Sequence, residues 1–153
     1  MTCPDEPNDT FKQGFFIRPY LQECLRAINL DYEVAVFTAG FEWYANPILD
    51  KIDPSGNLIQ HRFFRQHTQS IMIRDKEILV KDLSIFKGVD PSKMLIVDNS
   101  PCSFAFNLQN GIPIVDFLRS KDDCELIKIM KYVRELAQSD NLMEANESRL
   151  HLQ

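Results

Sequence analysis

Between Leu21 and Ile28 the apolar positions fall at i, i+3, i+4 and i+7 (Leu21, Cys24, Leu25, Ile28), the spacing of one face of a helix. With Pro19 suited to a first helical turn, "FFIRPYLQECLRAINL" reads as a short strand running into a helix over 19–30. The period then changes. "YEVAVFTAG" is apolar almost throughout, as expected of a strand covered on both faces, and Gly40 permits a tight exit. "FEWYANPILDKID" predicts a helix interrupted near Pro47. From 58 to 82, "LIQHRFF", "SIMIR" and "EILVKDL" are short β-like pieces that predict a small antiparallel insert, with Arg74, Asp75, Lys76 and Glu77 as its charged turn. "MLIVD" and "IPIVDF" return to buried strands. "DDCELIKIMKYVRELAQ" closes with an amphipathic helix whose Leu126, Met130, Val133 and Ala137 share a face. The pattern therefore predicts a flexible lead-in over 1–14, an α/β domain over 15–137 and a polar, fraying tail over 138–153. Outside the insert, alternation of strand and helix implies a parallel sheet with helices on both faces.

Composition narrows this picture. At 153 residues the chain fits one globular domain, and 44% hydrophobic against 25% charged residues, with 11 Phe, is ordinary for such a core. A net charge of -5 and a pI of about 5.2 argue against a broad basic footprint, so direct nucleic acid binding is not expected. No run reaches the roughly 18 apolar residues of a membrane span. Cys3, Cys24, Cys102 and Cys124 are scattered, with no CxxC pair; the spacing indicates neither a zinc site nor a disulfide framework and suits a reducing intracellular compartment.

In an open parallel sheet, ligands bind beyond the carboxyl ends of the strands, so polar residues there carry information. "VAVFT" ends on Thr38, "MLIV" on Asp98 and Asn99, and Lys81 follows "EILV". A hydroxyl and an ammonium can hold phosphoryl oxygens, while carboxylate and amide oxygens are hard ligands suited to Mg²⁺. Each residue also has a plainer reading: Thr38 as a helix N-cap, Lys81 as a solvated charge, and Asp98 with Asn99 as a turn starter before Pro101.

The order and spacing of "RPYLQECL", "VAVFTAG", "FFRQHT", "ILVKDLS" and "LIVDNSP" resemble the phosphatase domain of the small C-terminal-domain phosphatases and Dullard-type nuclear-envelope phosphatases, within the haloacid dehalogenase-like superfamily. "FRQH" followed by "VKDLS" is most similar to the Dullard branch, and "DNSP" points away from the related mitochondrial presequence-translocase subunit. The resemblance implies a Mg²⁺-dependent phosphoserine/phosphothreonine phosphatase acting on a phosphoprotein or phosphopeptide, through an aspartate nucleophile and a second aspartate as acid and base. It implies that Thr38 holds a phosphoryl oxygen, that Lys81 pairs with the phosphoryl group, and that Asn99, with Asp98 beside it, binds the metal. Arg18 takes the structural "RP" position, and Arg65, in the insert, is the candidate to meet an acidic or phosphorylated peptide.

One motif of that family is missing. No Asp-x-Asp occurs anywhere in the 153 residues, so the expected nucleophile and acid/base are both absent. In the family's fold this motif ends the central strand, between the strands that carry Thr38 and Asp98. Its absence predicts an incomplete sheet with an apolar edge open to association, and no turnover. Three readings follow, in this order: a truncated phosphatase domain, a non-catalytic relative that binds a phosphopeptide or a partner protein, and a structural interaction domain in which the motif residues only cap and turn.

Overall fold

A computed structural model describes residues 14–150; the lead-in expected over 1–14 lies almost wholly outside them. The first helix, α1 (Leu21–Ile28), starts two residues later than the spacing predicts. Tyr20 stands before it in the left-handed region at φ 65°, and this turn leaves Pro19 outside the helix. At its other end Asn29 donates from Nδ2 to the carbonyls of Leu25 and Leu58, both at 2.8 Å, tying α1 to the segment that enters the second strand.

The strand β1 (Ala35–Phe37) is followed by α2 (Glu42–Ile52), which runs through Pro47 without interruption. The cost there is the one bond the Pro47 nitrogen would have donated to the carbonyl of Trp43. Asp53 then organises the return. Its carboxylate is buried, which pushes its pKa up, but it accepts the backbone N–H groups of Asn57, Leu58 and Ile59, and these hold it below the ordinary carboxylate range.

The next strand, β2 (His61–Phe63), pairs in parallel with β1, so "LIQHRFF" belongs to the main architecture and not to the antiparallel insert. The insert is the hairpin of β3 (Gln69–Ile73) and β4 (Lys76–Val80) alone. Its turn is two residues long, Arg74 and Asp75, both with positive φ, which is the backbone twist that suits a tight hairpin. Lys76 and Glu77, expected in the turn, are strand residues.

A second parallel pair, β5 (Ile96–Asp98) and β6 (Gly111–Pro113), precedes α3 (Glu125–Leu136). The α3 face that packs inward is Ile129, Val133 and Leu136, rotated from the predicted stripe. The segment after Gln138 is no fraying tail: α4 (Leu142–Leu150) puts Leu142 into the core with Ile112, Ile129, Val133 and Leu136. Asn146, fully buried, fixes it by donating to the carbonyls of Gln109 and Gly111 and accepting from the Tyr132 hydroxyl.

The expected single parallel sheet is thus present as two separate two-stranded pieces, β1 with β2 and β5 with β6, beside the hairpin. Among the described residues, β1 and β5 each have one strand neighbour. Cys24 and Cys102 are free thiols, whereas Cys124 is disulfide-bonded, a departure from the sequence reading of the cysteines. No helix of the described residues is long and apolar enough to cross a membrane.

Candidate functional site

Thr38 is the first residue after β1. Its N–H donates to the carbonyl of Phe63 at 2.9 Å, which pins it to β2, and its Oγ1 accepts the N–H of Gly40 at 3.0 Å. The N-cap position of α2 is Phe41, so the hydroxyl does not cap that helix; it shapes the loop before it. A side chain at Gly40 would come within 3.2 Å of the Thr38 hydroxyl, so the loop is close-fitting where the hydroxyl sits.

Arg65 belongs to this side of the molecule. It lies in a short 3-10 turn, Arg65–His67, between β2 and β3, not in the antiparallel insert. Its backbone N–H donates to Gly40 at 3.0 Å, its guanidinium reaches the carbonyl of Ala39 at 3.4 Å, and it lies 5.1 Å over the exposed ring of Phe41. The structure therefore places Arg65 beside the Thr38 loop, with no carboxylate partner among the described residues.

Lys81 follows β4, whose last residue, Val80, is fully buried. Its N–H is held by the carbonyl of Ser103, and its ammonium donates to Asp98 Oδ2 in an ion pair whose side chains are 12% and 7% exposed. The solvated-charge reading of Lys81 is thereby excluded. Asp98 ends β5, and its other oxygen accepts the N–H of Ser100 at 2.8 Å, so the same carboxylate starts the turn and neutralises the lysine.

Asn99 is exposed and donates from Nδ2 to Asp116 at 2.7 Å. That bond turns the amide oxygen away from Asp116 and leaves it available as a ligand. Asp116 carries no signal in the sequence, since no fixed spacing relates it to Asn99. Among the described residues no group of three His, Cys, Asp or Glu side chains gathers around a metal position. Mg²⁺ keeps several waters and needs few protein ligands, so the Asn99 amide oxygen fits it as a direct ligand, while Asp98, engaged by Lys81 and Ser100, fits as a neighbour that places the ion or its waters.

Arg18 makes a bidentate pair with Asp123, both bonds at 2.9 Å, and donates to the carbonyl of Val115 at 2.8 Å. It locks the start of the domain onto the segment before α3. Burial raises the Asp123 pKa, but Arg18 and the N–H of Glu125 outweigh it and hold the carboxyl below its usual range.

The structure thus brings Lys81, Asp98 and Asn99 together at one strand end and Thr38 with Arg65 at another. Among the described residues no hydrogen bond joins the two groups. The profile described as "NLI interacting factor-like phosphatase" matches residues 1–143. CTD small phosphatase-like protein 3 of Caenorhabditis elegans is 39% identical over 126 residues, covering 82% of this chain and 42% of that protein. The probable C-terminal domain small phosphatase of Dictyostelium discoideum is 37% identical over 150 residues, 97% of this chain and 45% of that protein. Among solved structures, fission yeast RNA polymerase II CTD phosphatase Fcp1 bound to beryllium fluoride superposes with a TM-score of 0.56 at 20% identity, over 90% of this chain and 39% of that one. The chain spans less than half the length of each of these proteins.

Proposed function

This chain belongs to the NLI interacting factor-like phosphatase family, and from that premise we propose that it forms the phosphoryl-recognising part of a protein serine/threonine phosphatase domain. The observation that carries the reading is the Lys81–Asp98 pair at the end of β5, with Asn99 next to it, in a chain whose other parallel pair ends on the Thr38 hydroxyl. Thr38 donates its hydroxyl to one phosphoryl oxygen. Lys81 places positive charge against the group in a poorly hydrated setting, where such charge acts most strongly. Asn99 would hold Mg²⁺, which when bound neutralises charge on the phosphoryl oxygens, and Asp98 would place the ion or its waters. Arg65, without a carboxylate partner among the described residues and next to the Thr38 loop, meets the phosphopeptide flanking the phosphate.

With no Asp-x-Asp in the sequence, these 153 residues recognise but do not turn over a phosphoester. The test is binding of a phosphoserine peptide against its unphosphorylated twin, with Thr38→Val as the variant and an aryl phosphate assay in Mg²⁺ alongside. We expect preference for the phosphopeptide, a several-fold loss in Thr38→Val, and no turnover. Equal affinity for the two peptides would sink the phosphoryl site. Turnover that disappears in Lys81→Arg would overturn the account of the missing nucleophile. The second reading, a relative that is non-catalytic in its full-length form, is favoured if a longer gene product also lacks an apolar strand ending in Asp-x-Asp.

A further inference from the structure

Asn99 directly follows β5 and Asp116 lies three residues past β6, so both stand at the carboxyl ends of two paired parallel strands. An ionised carboxylate accepts hydrogen bonds and donates none. The 2.7 Å bond between Asn99 and Asp116 Oδ1 therefore admits one placement of the amide, with its NH₂ toward Asp116 and its oxygen away. An amide without such a partner turns over at little cost, and then presents a donor where a cation needs an oxygen.

An exposed bond between two loop side chains holds only where both loops are already ordered by other contacts. Here both are. On the Asn99 side, the carbonyl of Asp98 accepts the N–H of Ile114 at 3.1 Å and its carboxylate accepts the N–H of Ser100 at 2.8 Å, which fixes the backbone before and after Asn99. On the Asp116 side the support is Arg18. Its guanidinium donates to the carbonyl of Val115 at 2.8 Å and lies 5.7 Å from the Phe117 ring, so it engages the residue on each side of Asp116. Arg18 is itself anchored by two 2.9 Å bonds to Asp123, and the side chains of that pair are 12% and 9% exposed. The rigid fork of a guanidinium suits it to hold a carboxylate and a carbonyl at once. Asp98 is neutralised by Lys81, but among the described residues no ion pair neutralises Asp116. Its charge therefore remains to attract a cation to the same strand ends.

We propose that Asp116 is the positioning residue of the metal side of the site: seated on the segment that Arg18 clamps, it fixes the Asn99 amide with its oxygen free and so sets the affinity of the chain for a divalent cation. This rests on the reading of Asn99 as a Mg²⁺ ligand. Removing a group bonded to a metal ligand commonly lowers metal affinity about 10- to 100-fold. The arginine of the "RP" motif thereby serves the site as well as the fold, through the residue it encloses.

The probe is Mn²⁺, which shares the oxygen preference of Mg²⁺, titrated into the intact chain with the free ion followed by electron paramagnetic resonance. Asp116→Ala should weaken binding about tenfold. Asp122→Ala, which removes an exposed carboxylate not bonded to Asn99, should change it less than about twofold, because exposed charges are screened. Asn99→Ala should abolish it. Without any ion, the side-chain amide protons of Asn99 should exchange faster with solvent in Asp116→Ala than in the parent, which reads the lost bond directly. Parent-like Mn²⁺ affinity in Asp116→Ala beside a loss in Asn99→Ala would overturn the positioning role and leave the metal reading standing. Equal losses in Asp116→Ala and Asp122→Ala would reduce the effect to general attraction between charges and overturn the role as well. Parent-like affinity in Asn99→Ala, or no saturable binding by the parent, would sink the metal reading and the positioning role with it.

Discussion

Two parallel pairs, β1 with β2 and β5 with β6, are each built from three-residue strands and each end in a polar residue, yet they present that residue differently. At the end of β1 the Thr38 hydroxyl bonds within its own loop, and the neighbouring Arg65 spreads over an exposed ring. At the end of β5 the Asp98 carboxylate is buried and tied to an ammonium delivered by another strand. The first is a loop whose polar groups are bonded locally and whose flanking ring is exposed, the side that meets the ligand under the proposed function. The second is a fixed charge pair that must be kept together because neither member is well hydrated. The contrast teaches that a motif residue can be ready for a ligand in one half of a site and indispensable to the fold in the other.

Breaking the pair is the strongest test of that difference. Lys81→Ala leaves Asp98 buried and unpaired, and should cost about 3–5 kcal/mol in denaturant unfolding, whereas Lys81→Met with Asp98→Leu should recover most of the loss. Full stability in the single variant would remove the contrast. Next in size is Gly111→Ala at the start of β6, where an added Cβ would lie 2.2 Å from the Phe104 ring. Overpacking of that kind costs roughly 1–3 kcal/mol, and the loss should shrink when Phe104→Leu is added.

Acid provides a third lever. Asp123, held low by Arg18, stabilises the fold above its unfolded pKa, and that contribution disappears as pH falls through its lower folded value. Unfolding midpoints should therefore drop below about pH 4, and the drop should be smaller in Arg18→Met than in the parent. The other half should respond least. Thr38→Val should cost about 1 kcal/mol for one lost hydrogen bond. Arg65→Ala should cost less than about 1 kcal/mol while still weakening phosphopeptide binding. A large stability loss in either variant would show that the β1 half is as rigid as the other.

Much of this division could be read from the chain. The spacing of Leu21, Cys24, Leu25 and Ile28 located α1, and the polar ends of "VAVFT" and "MLIV" marked the strand ends where candidate chemistry sits. The gap in the sheet was legible only through the missing Asp-x-Asp strand, because an apolar run by itself reports burial and not whether a neighbour is present to pair with it. α4 was hidden for the opposite reason. Its core face sets an amide, Asn146, beside Leu142 and Ala145, so the apolar stripe that marks a helix is broken. Pro47 misled because a helix can survive the loss of one bond. Asp116 reaches Asn99 across 17 residues of chain, a meeting decided by the path between β5 and α3 and not by local spacing.

Asn146 has a practical consequence for anyone who cuts this protein. The family profile stops at residue 143, inside α4. A fragment trimmed there would lose the amide that bonds Gln109, Gly111 and Tyr132, and would uncover Leu136 and Ile112 beneath it. The packing of α4 extends beyond the border that the family profile draws, and expression fragments should keep at least one helical turn past that asparagine.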